Sequence, residues 1–399
     1  MRIGMVSNNY KPYISGVTNV ISLTKEFLEK AGHEVFVFTF GEIDTQNDEP
    51  NIIRSPGFPF VKTGYYLNLT FNKASRRLLY TMDIVHGHHP FLSGPLAIQY
   101  CKPRNIPVLF TNHTRYDLYV SAYVPFLPDA IGEAAMHAYL PNFYRSANLV
   151  IAPSKGVRDV LINLGVDAPI QIIPNGVDLV PFQKPATPQD RLQFNISSEK
   201  ILLMYVGRLG PEKNLNFLLR AFGGTAQAYK NIHLILVGDG PERENLTALV
   251  NQMGLSERVT FTGFVPYPNI PGYLHMADAF VTASVTEVHP LSIIEAMAAG
   301  LPVLGITSPG VGDTITDGVN GFLSDHEIAS FTAKMVRVVT DHDLRHLMGV
   351  RAQQDSQQYD IRITTQSLLA VYKQLFNSTK VLKRNFRTRL TRFFDNWRG

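Results

Sequence analysis

Two series of short apolar runs, each alternating with helical stretches, set the strongest limit on this fold. The first holds residues 3–6, 34–38, 84–86, 108–111 and 149–152. The second holds 201–206, 234–237, 259–262, 279–282 and 302–305. Leu202-Leu203-Met204-Tyr205-Val206 is apolar at every position. Such a strand needs cover on both faces, as in a parallel sheet between helical layers. Strands alternating with helices predict a doubly wound α/β chain. Between the series lies Ile173-Pro174-Asn175-Gly176-Val177-Asp178, followed by Pro181, Pro185 and Pro188. An Asn-Gly turn with closely spaced prolines predicts a connection between domains. We expect two Rossmann-like domains facing each other across a cleft, over residues 1–175 and 176–362. A helix over 363–379 then crosses back to the first domain, and 380–399 forms a basic tail. Ligands of such sheets bind at the carboxyl ends of the strands.

Composition narrows the class. A chain of 399 residues, 45% hydrophobic and 18% charged, suits two or three domains with large cores. The single cysteine, Cys101, excludes an internal disulfide framework and cysteine-based metal sites, and fits a reducing compartment. The N-terminal run from Met1 to Asn9 reads as a strand entering a loop, without the apolar stretch of a signal peptide. No window reaches the roughly 18 apolar residues of a membrane span. We therefore expect a cytoplasmic chain, peripheral to the membrane at most. Net charge is +4, but the segment 380–399 has seven basic residues and one acid. The tail alone thus carries +6 and the rest −2, which makes the basic character a local device.

The segment from Thr286 to Pro302 holds two carboxylates eight positions apart. Leu291 to Ala299 are helix formers, Pro290 suits a first turn, and Gly300 with Pro302 stops the helix. Glu287 then sits in the entering loop and Glu295 just over one turn inside. Between them, the N–H groups of Leu291 and Ser292 open a helix and offer a phosphate site. A carboxylate such as Glu295 can accept from both hydroxyls of a ribose diol. Upstream, the 201–206 strand runs into Gly207-Arg208-Leu209-Gly210-Pro211-Glu212-Lys213-Asn214. Arg208 and Lys213 there can stabilise a leaving diphosphate without a metal. Asp341-His342-Asp343 has the form of a metal-binding triplet but reads as a helix cap. Val237-Gly238-Asp239-Gly240 half-matches a dinucleotide fingerprint, with Arg243 where the third glycine belongs, so a dehydrogenase reading is weak. In the first half, Gly16 follows the first strand within Pro12-Tyr13-Ile14-Ser15-Gly16-Val17. His86-Gly87-His88-His89-Pro90 lacks neighbouring carboxylates or cysteines, and reads as a polar edge rather than a metal site. His113, in Thr111-Asn112-His113-Thr114, stands at a strand end.

Taken in order, these segments resemble the retaining glycosyltransferases of family 4 over most of the chain. Glu287 and Glu295 match its Glu-x7-Glu signature, and residues 207–214 match its Gly-Arg-Leu-x-x-Glu-Lys-Asn run. Thr262-Gly263-Phe264-Val265 resembles the segment whose backbone, at Gly263 and Val265, meets the nucleobase. Pro309-Gly310-Val311-Gly312-Asp313-Thr314 repeats a donor-side pattern in which many members carry Glu where Asp313 stands. Ser15 replaces the first of a usual Gly-Gly pair. The resemblance implies a GT-B fold and a nucleotide diphosphate sugar, UDP-glucose-like, as co-substrate, with no resident cofactor and no metal. It places the diphosphate on Arg208 and Lys213, the ribose on Glu295, and the donor sugar on Glu287 and His113. Gly16 would approach phosphate or sugar. No residue stands out as a covalent nucleophile, so front-face displacement is expected, with the leaving phosphate helping to deprotonate the acceptor.

In the tail, Phe386, Leu390, Phe393 and Trp397 fall on one helical face, with Arg384, Arg387 and Arg392 elsewhere. This is the pattern of an interfacial helix on an anionic membrane; packing on the protein body is the competing reading. No nucleic-acid module appears. Residues 58–80 mix Phe58, Phe60, Tyr65, Tyr66, Phe71 and Tyr80 with Lys62, Lys73, Arg76 and Arg77, and 119–143 holds Tyr123, Phe126, Leu127 and Tyr139. Apolar surface there would suit a lipid acceptor such as diacylglycerol or its monoglycosyl derivative. The alternatives are a polysaccharide or soluble sugar acceptor, a non-catalytic sugar-nucleotide sensor, and a GT-B epimerase or phosphorylase.

Overall fold

The computed structural model describes the backbone apart from residues 14, 43–47, 61–64, 117, 119–128 and 396–399; the side chains of 60, 65, 67, 129–131, 133 and 380–395 are also outside the description. The chain divides into two compact domains. The first comprises residues 1–153, 158–176 and 362–399; the second comprises 154–157 and 177–361.

The first domain carries β1 (Arg2–Val6), β2 (Glu34–Phe40), β3 (Ile52–Ser55), a separate antiparallel hairpin of β4 (Phe58–Phe60) and β5 (Tyr65–Leu67), then β6 (Ile84–Gly87), β7 (Val108–Thr111), β8 (Leu149–Ala152) and β9 (Ile170–Ile172). Its main sheet is parallel, in the order β3-β2-β1-β6-β7-β8-β9. The second domain carries β10 (Ile201–Val206), β11 (Ile232–Val237), β12 (Val259–Gly263), β13 (Ala279–Val281), β14 (Val303–Ile306) and β15 (Gly321–Ser324). These pair in parallel in the order β12-β11-β10-β13-β14-β15, the doubly wound order of dinucleotide-binding sheets. Strand order reverses at β1/β6 in one domain and at β10/β13 in the other, and ligands of such sheets bind at those points.

The runs that are apolar at every position are buried on both faces. Leu203 and Tyr205 of β10, with Leu234 and Leu236 of β11, pack with Phe222, Phe331 and Met335 on one side. Leu202, Met204 and Val206, with Ile235 and Val237, pack with Ile293, Ile294 and Met297 on the other. The period-two alternation of a strand sends alternate residues into separate layers, and each buried Leu or Ile contributes roughly 1.5–3 kcal/mol. In the first domain Ile3 and Met5 join Ile21, Leu28, Val35 and Val37, and the final helix adds Leu368, Val371 and Tyr372 to the same cluster.

Strands β3 and β9, at the two edges of the first sheet, were not evident in the sequence. Ile170-Gln171-Ile172 is largely exposed and has no continuous apolar run. Among the described residues no helix is long and apolar enough to cross a membrane. The last helix spans Ile361–Asp395. The tail side chains singled out above, with Lys62, Tyr123, Phe126, Leu127 and the side chains of Phe60 and Tyr65, lie outside the described residues.

Candidate active site

At the switch point of the second sheet, the loops after β10 and β13 are tied together. Asn214 Nδ2 donates to the Ala283 carbonyl at 3.2 Å, and the hydroxyls of Ser284 and Thr286 both donate to the Glu212 carbonyl at 3.4 Å. Across this junction Lys213 Nζ meets Glu287 Oε1 at 2.6 Å. Burial pushes the Glu287 carboxyl up, but the charge and hydrogen bond of Lys213, with a further bond from Ser284, bring it below the ordinary value. Glu287 is therefore an ionised carboxylate clamped to an ammonium. Arg208 lies apart, with its side chain 62% exposed and its Nη1 3.9 Å from Glu212 Oε1, while Tyr205 donates to its carbonyl at 3.0 Å. The guanidinium is free to take an anion.

The helix Leu291–Ala298 starts beside this pair. Pro290 stands at the cap rather than inside the first turn, with extended backbone. Its carbonyl takes the N–H groups of Ile293 and Ile294 at 3.1 and 3.3 Å, and those of Leu291 and Ser292 have no acceptor in the described chain. The helix ends as the sequence indicates: Gly300 has φ +81°, and the Leu301 N–H returns to the Ala296 carbonyl at 3.0 Å. One turn in, Glu295 is 5% exposed and accepts from the Tyr267 hydroxyl at 2.9 Å. Burial raises its pKa to about 7, with the Tyr267 bond acting the other way.

Glycines bring the surrounding backbone close. Gly238 has φ +135°, and an added Cβ would overlap the Gly207 carbonyl oxygen. A Cβ at Gly310 would overlap the Glu287 and Val288 backbone, and the Gly310 N–H supports the Glu287 carbonyl at 3.2 Å. Gly263 has φ +72° beside Arg243, and Val265 is half-buried. Asp313 accepts from the Gly156 N–H at 2.5 Å, which is a structural role. Asp341 caps the helix His342–Ser356 by accepting from Leu344 N at 2.9 Å.

In the first domain Gly16 opens the helix Gly16–Lys30, where Ser15 and Thr18 form a reciprocal capping box. The histidine segment is not a polar edge. His86 and His88 are each 2% exposed, because β6 is a central strand covered on both faces. His86 Nδ1 lies 2.6 Å from the Tyr372 hydroxyl and Nε2 lies 2.7 Å from Thr111 Oγ1. His88 Nδ1 faces His113 Nε2 at 2.9 Å, with the two rings stacked. Burial lowers the pKa values of both well below the ordinary value, with neighbouring histidines adding to the effect. His113 is half-buried at the end of β7.

Arg208, Lys213, Glu287, Leu291, Ser292 and Glu295 thus gather around one switch point of the second domain, with Gly263 and Val265 at the end of its outer strand. Gly16 and His113 belong to the first. Tyr267 and Tyr372 were missed, and His88 was not paired with His113, since the partners lie 28, 286 and 25 residues apart. Among the described residues no group of three or more His, Cys, Asp or Glu could hold a metal ion.

Two Rossmann-like domains of these topologies define the GT-B class of fold. Solved structures agree: sucrose-phosphate synthase from Thermosynechococcus elongatus aligns with a TM-score of 0.77 at 21% identity, over 94% of this chain and 99% of that one. HepE of Anabaena, in complex with UDP and glucose, aligns with a TM-score of 0.75 at 20% identity, over 94% and 100%. Residues 187–355 match the family model for glycosyl transferases group 1, and residues 14–180 match that for glycosyltransferase family 4. The alpha-monoglucosyldiacylglycerol synthase of Acholeplasma laidlawii is 30% identical over 96% of this chain and all of its own length. Its namesake in Streptococcus pneumoniae is 32% identical over 82% of this chain and 77% of its own. This chain belongs to glycosyltransferase family 4.

Proposed function

We propose that the protein is a retaining glycosyltransferase that moves a hexose from a nucleotide diphosphate sugar, UDP-glucose or similar, to a membrane lipid such as diacylglycerol. Its relatedness, over nearly the whole chain, to a synthase named for alpha-glucosyl transfer to diacylglycerol carries this reading. An alpha-linked product from an alpha-linked nucleotide sugar means retention. The exposed Phe58 and Leu69, 84% and 86% accessible, support an apolar acceptor and a peripheral place on the cytoplasmic membrane face, with residues 380–399 on its anionic lipids.

In this mechanism Arg208, Lys213 and the N–H groups of Leu291 and Ser292 hold the diphosphate. Glu295 holds the ribose, and Gly263 and Val265 meet the base. The bond from the anomeric carbon to the diphosphate breaks, and its electrons pass to the β-phosphate. Arg208 and Lys213 take up that developing charge without a metal. The acceptor hydroxyl attacks from the same face and gives its proton to the departing phosphate oxygen. Glu287 holds the sugar hydroxyls, and the fixed charge of Lys213 keeps it ionised; His113 hydrogen-bonds the same sugar. Gly16 lets backbone approach a phosphate or sugar oxygen.

The test is a panel of UDP- and GDP-sugars incubated with purified protein and diacylglycerol-containing anionic liposomes, with lipids read by mass. A hexose on diacylglycerol is the expected result. Donor hydrolysis without lipid product would move the acceptor to a polysaccharide or soluble sugar, and donor binding without turnover would make the protein a sensor.

A further inference from the structure

Beside His113, a partly open pocket with about 30 Å3 of room for water is lined by Thr111, His88, His113 and, from the last helix, Thr365. The buried atoms His88 Nε2 and Thr365 Oγ1 have no hydrogen-bond partner among the described residues. Polar atoms enclosed in this way normally share a water.

The direction of the hydrogen bonds around this cavity follows from Tyr372. Its side chain is fully buried, and His86 Nδ1 at 2.6 Å is the one partner of its hydroxyl among the described residues. If His86 donated here, the phenolic proton would be enclosed without an acceptor, which costs more than an idle lone pair. Tyr372 therefore donates to His86 Nδ1. Burial holds His86 neutral, with a pKa of about 3, so its one proton is on Nε2 and is donated to Thr111 Oγ1 at 2.7 Å. The Thr111 hydroxyl must then donate elsewhere, and Thr111 is one of the residues that line the cavity.

We propose that one water in this cavity accepts from Thr111 and donates to His88 Nε2, with Thr365 as its third partner. His88 then carries its proton on Nδ1 and donates to His113 Nε2, so that His113 presents Nδ1–H outward. Tyr372, His86, Thr111 and His88 are positioning residues that make His113 a hydrogen-bond donor to a substrate oxygen, not a base. The kinetic consequence rests on the role given to His113 above; the tautomer does not.

The test is long-range 15N spectroscopy of the full chain labelled at histidine, with His113 assigned by comparison with His113→Gln. A protonated Nδ1 and bare Nε2 on His113 are expected. In Tyr372→Phe the proton should redistribute toward Nε2, with kcat down roughly tenfold and donor KM little changed. A proton on His113 Nε2 in the unmodified protein would overturn the proposal. So would an unchanged His113 tautomer in Tyr372→Phe, or in Thr111→Val should the first variant fail to fold. The expected tautomer shift with unaltered turnover would support the relay and remove His113 from the reaction.

Discussion

Binding of UDP-glucose should release a proton through Glu295. With a pKa of about 7, roughly three-quarters of the molecules carry a proton there at pH 6.5 in the unliganded protein. A ribose diol donating two hydrogen bonds favours the ionised form. If the carboxyl returns to its ordinary range, binding at pH 6.5 releases about 0.7 proton, and at pH 9 almost none. The diphosphate of UDP-glucose does not titrate in this window, so calorimetry in buffers of different ionisation enthalpy reads the release directly. Glu295→Gln should abolish it and weaken binding roughly tenfold. Equal proton release in both proteins would refute a ribose on Glu295.

The same shift has a stability consequence. The folded pKa of Glu295 is raised, so its contribution is fully present below the unfolded value of 4.5 and is lost as pH rises through about 7. The difference of about 2.5 units corresponds to about 3 kcal/mol. For a domain of this size that is roughly 6–12 °C in Tm. The melting temperature of the Gln variant should therefore fall less between pH 5 and 8 than that of the unmodified protein.

Four further outcomes are expected. Arg208→Ala should lower kcat by about 10²–10³ through lost stabilisation of the leaving diphosphate, with thermal stability unchanged because the side chain is mostly exposed; unaltered turnover would remove Arg208 from the site. The Glu287 pKa is lowered, so its contribution is present above the ordinary carboxylate value and is lost as pH falls through the folded one. Lys213→Ala should abolish that acid-side loss in urea unfolding between pH 3 and 6, and cut turnover as well. Gly238→Ala, at a positive φ and against the Gly207 carbonyl, should destabilise the second domain by about 2 kcal/mol or more, read by urea unfolding. A chain ending at Thr379 should keep its affinity for UDP-glucose and lose binding to anionic liposomes in a sedimentation assay; undiminished liposome binding would show that the tail is not the anchor.

What could be read from the chain followed the distance over which the information acts. The central strands were legible because burial on two faces forces apolar residues at every position, as in 202–206. The Leu291–Ala298 helix was legible because Pro290 and Gly300 act on adjacent backbone. The short edge strand Ile170–Ile172 leaves two of its three residues in solvent and loses that signal. Long-range partners carry no periodicity: nothing near Glu295 in sequence announces Tyr267, and nothing near His86 announces Tyr372. The histidines of residues 86–89 were misread for that reason. They were read as a polar edge, whereas His86 in β6 and His88 just beyond it are buried, and the last helix supplies a partner to His86.

The charge state of the second-domain site follows from these placements. Lys213 and Glu287 neutralise each other at 2.6 Å, so neither is an isolated buried charge. Glu212 stands 3.9 Å from Arg208, too far for a bidentate fork, and leaves that guanidinium available. Near pH 7 Glu295 is about half protonated, so it repels an approaching diphosphate less than a full carboxylate would. With the open N–H groups of Leu291 and Ser292, the balance favours an anion before any substrate arrives. Once a ribose binds, Glu295 can ionise against the diol, and the negative charge appears on the nucleoside side of the site. On the proposed reading, that order of events would turn a buried carboxyl into a contact made only with substrate. It predicts that Glu295→Gln loses more affinity for a nucleoside diphosphate sugar than for its 2′-deoxy counterpart. Equal losses for the two would show that Glu295 shapes the fold and not the ribose contact.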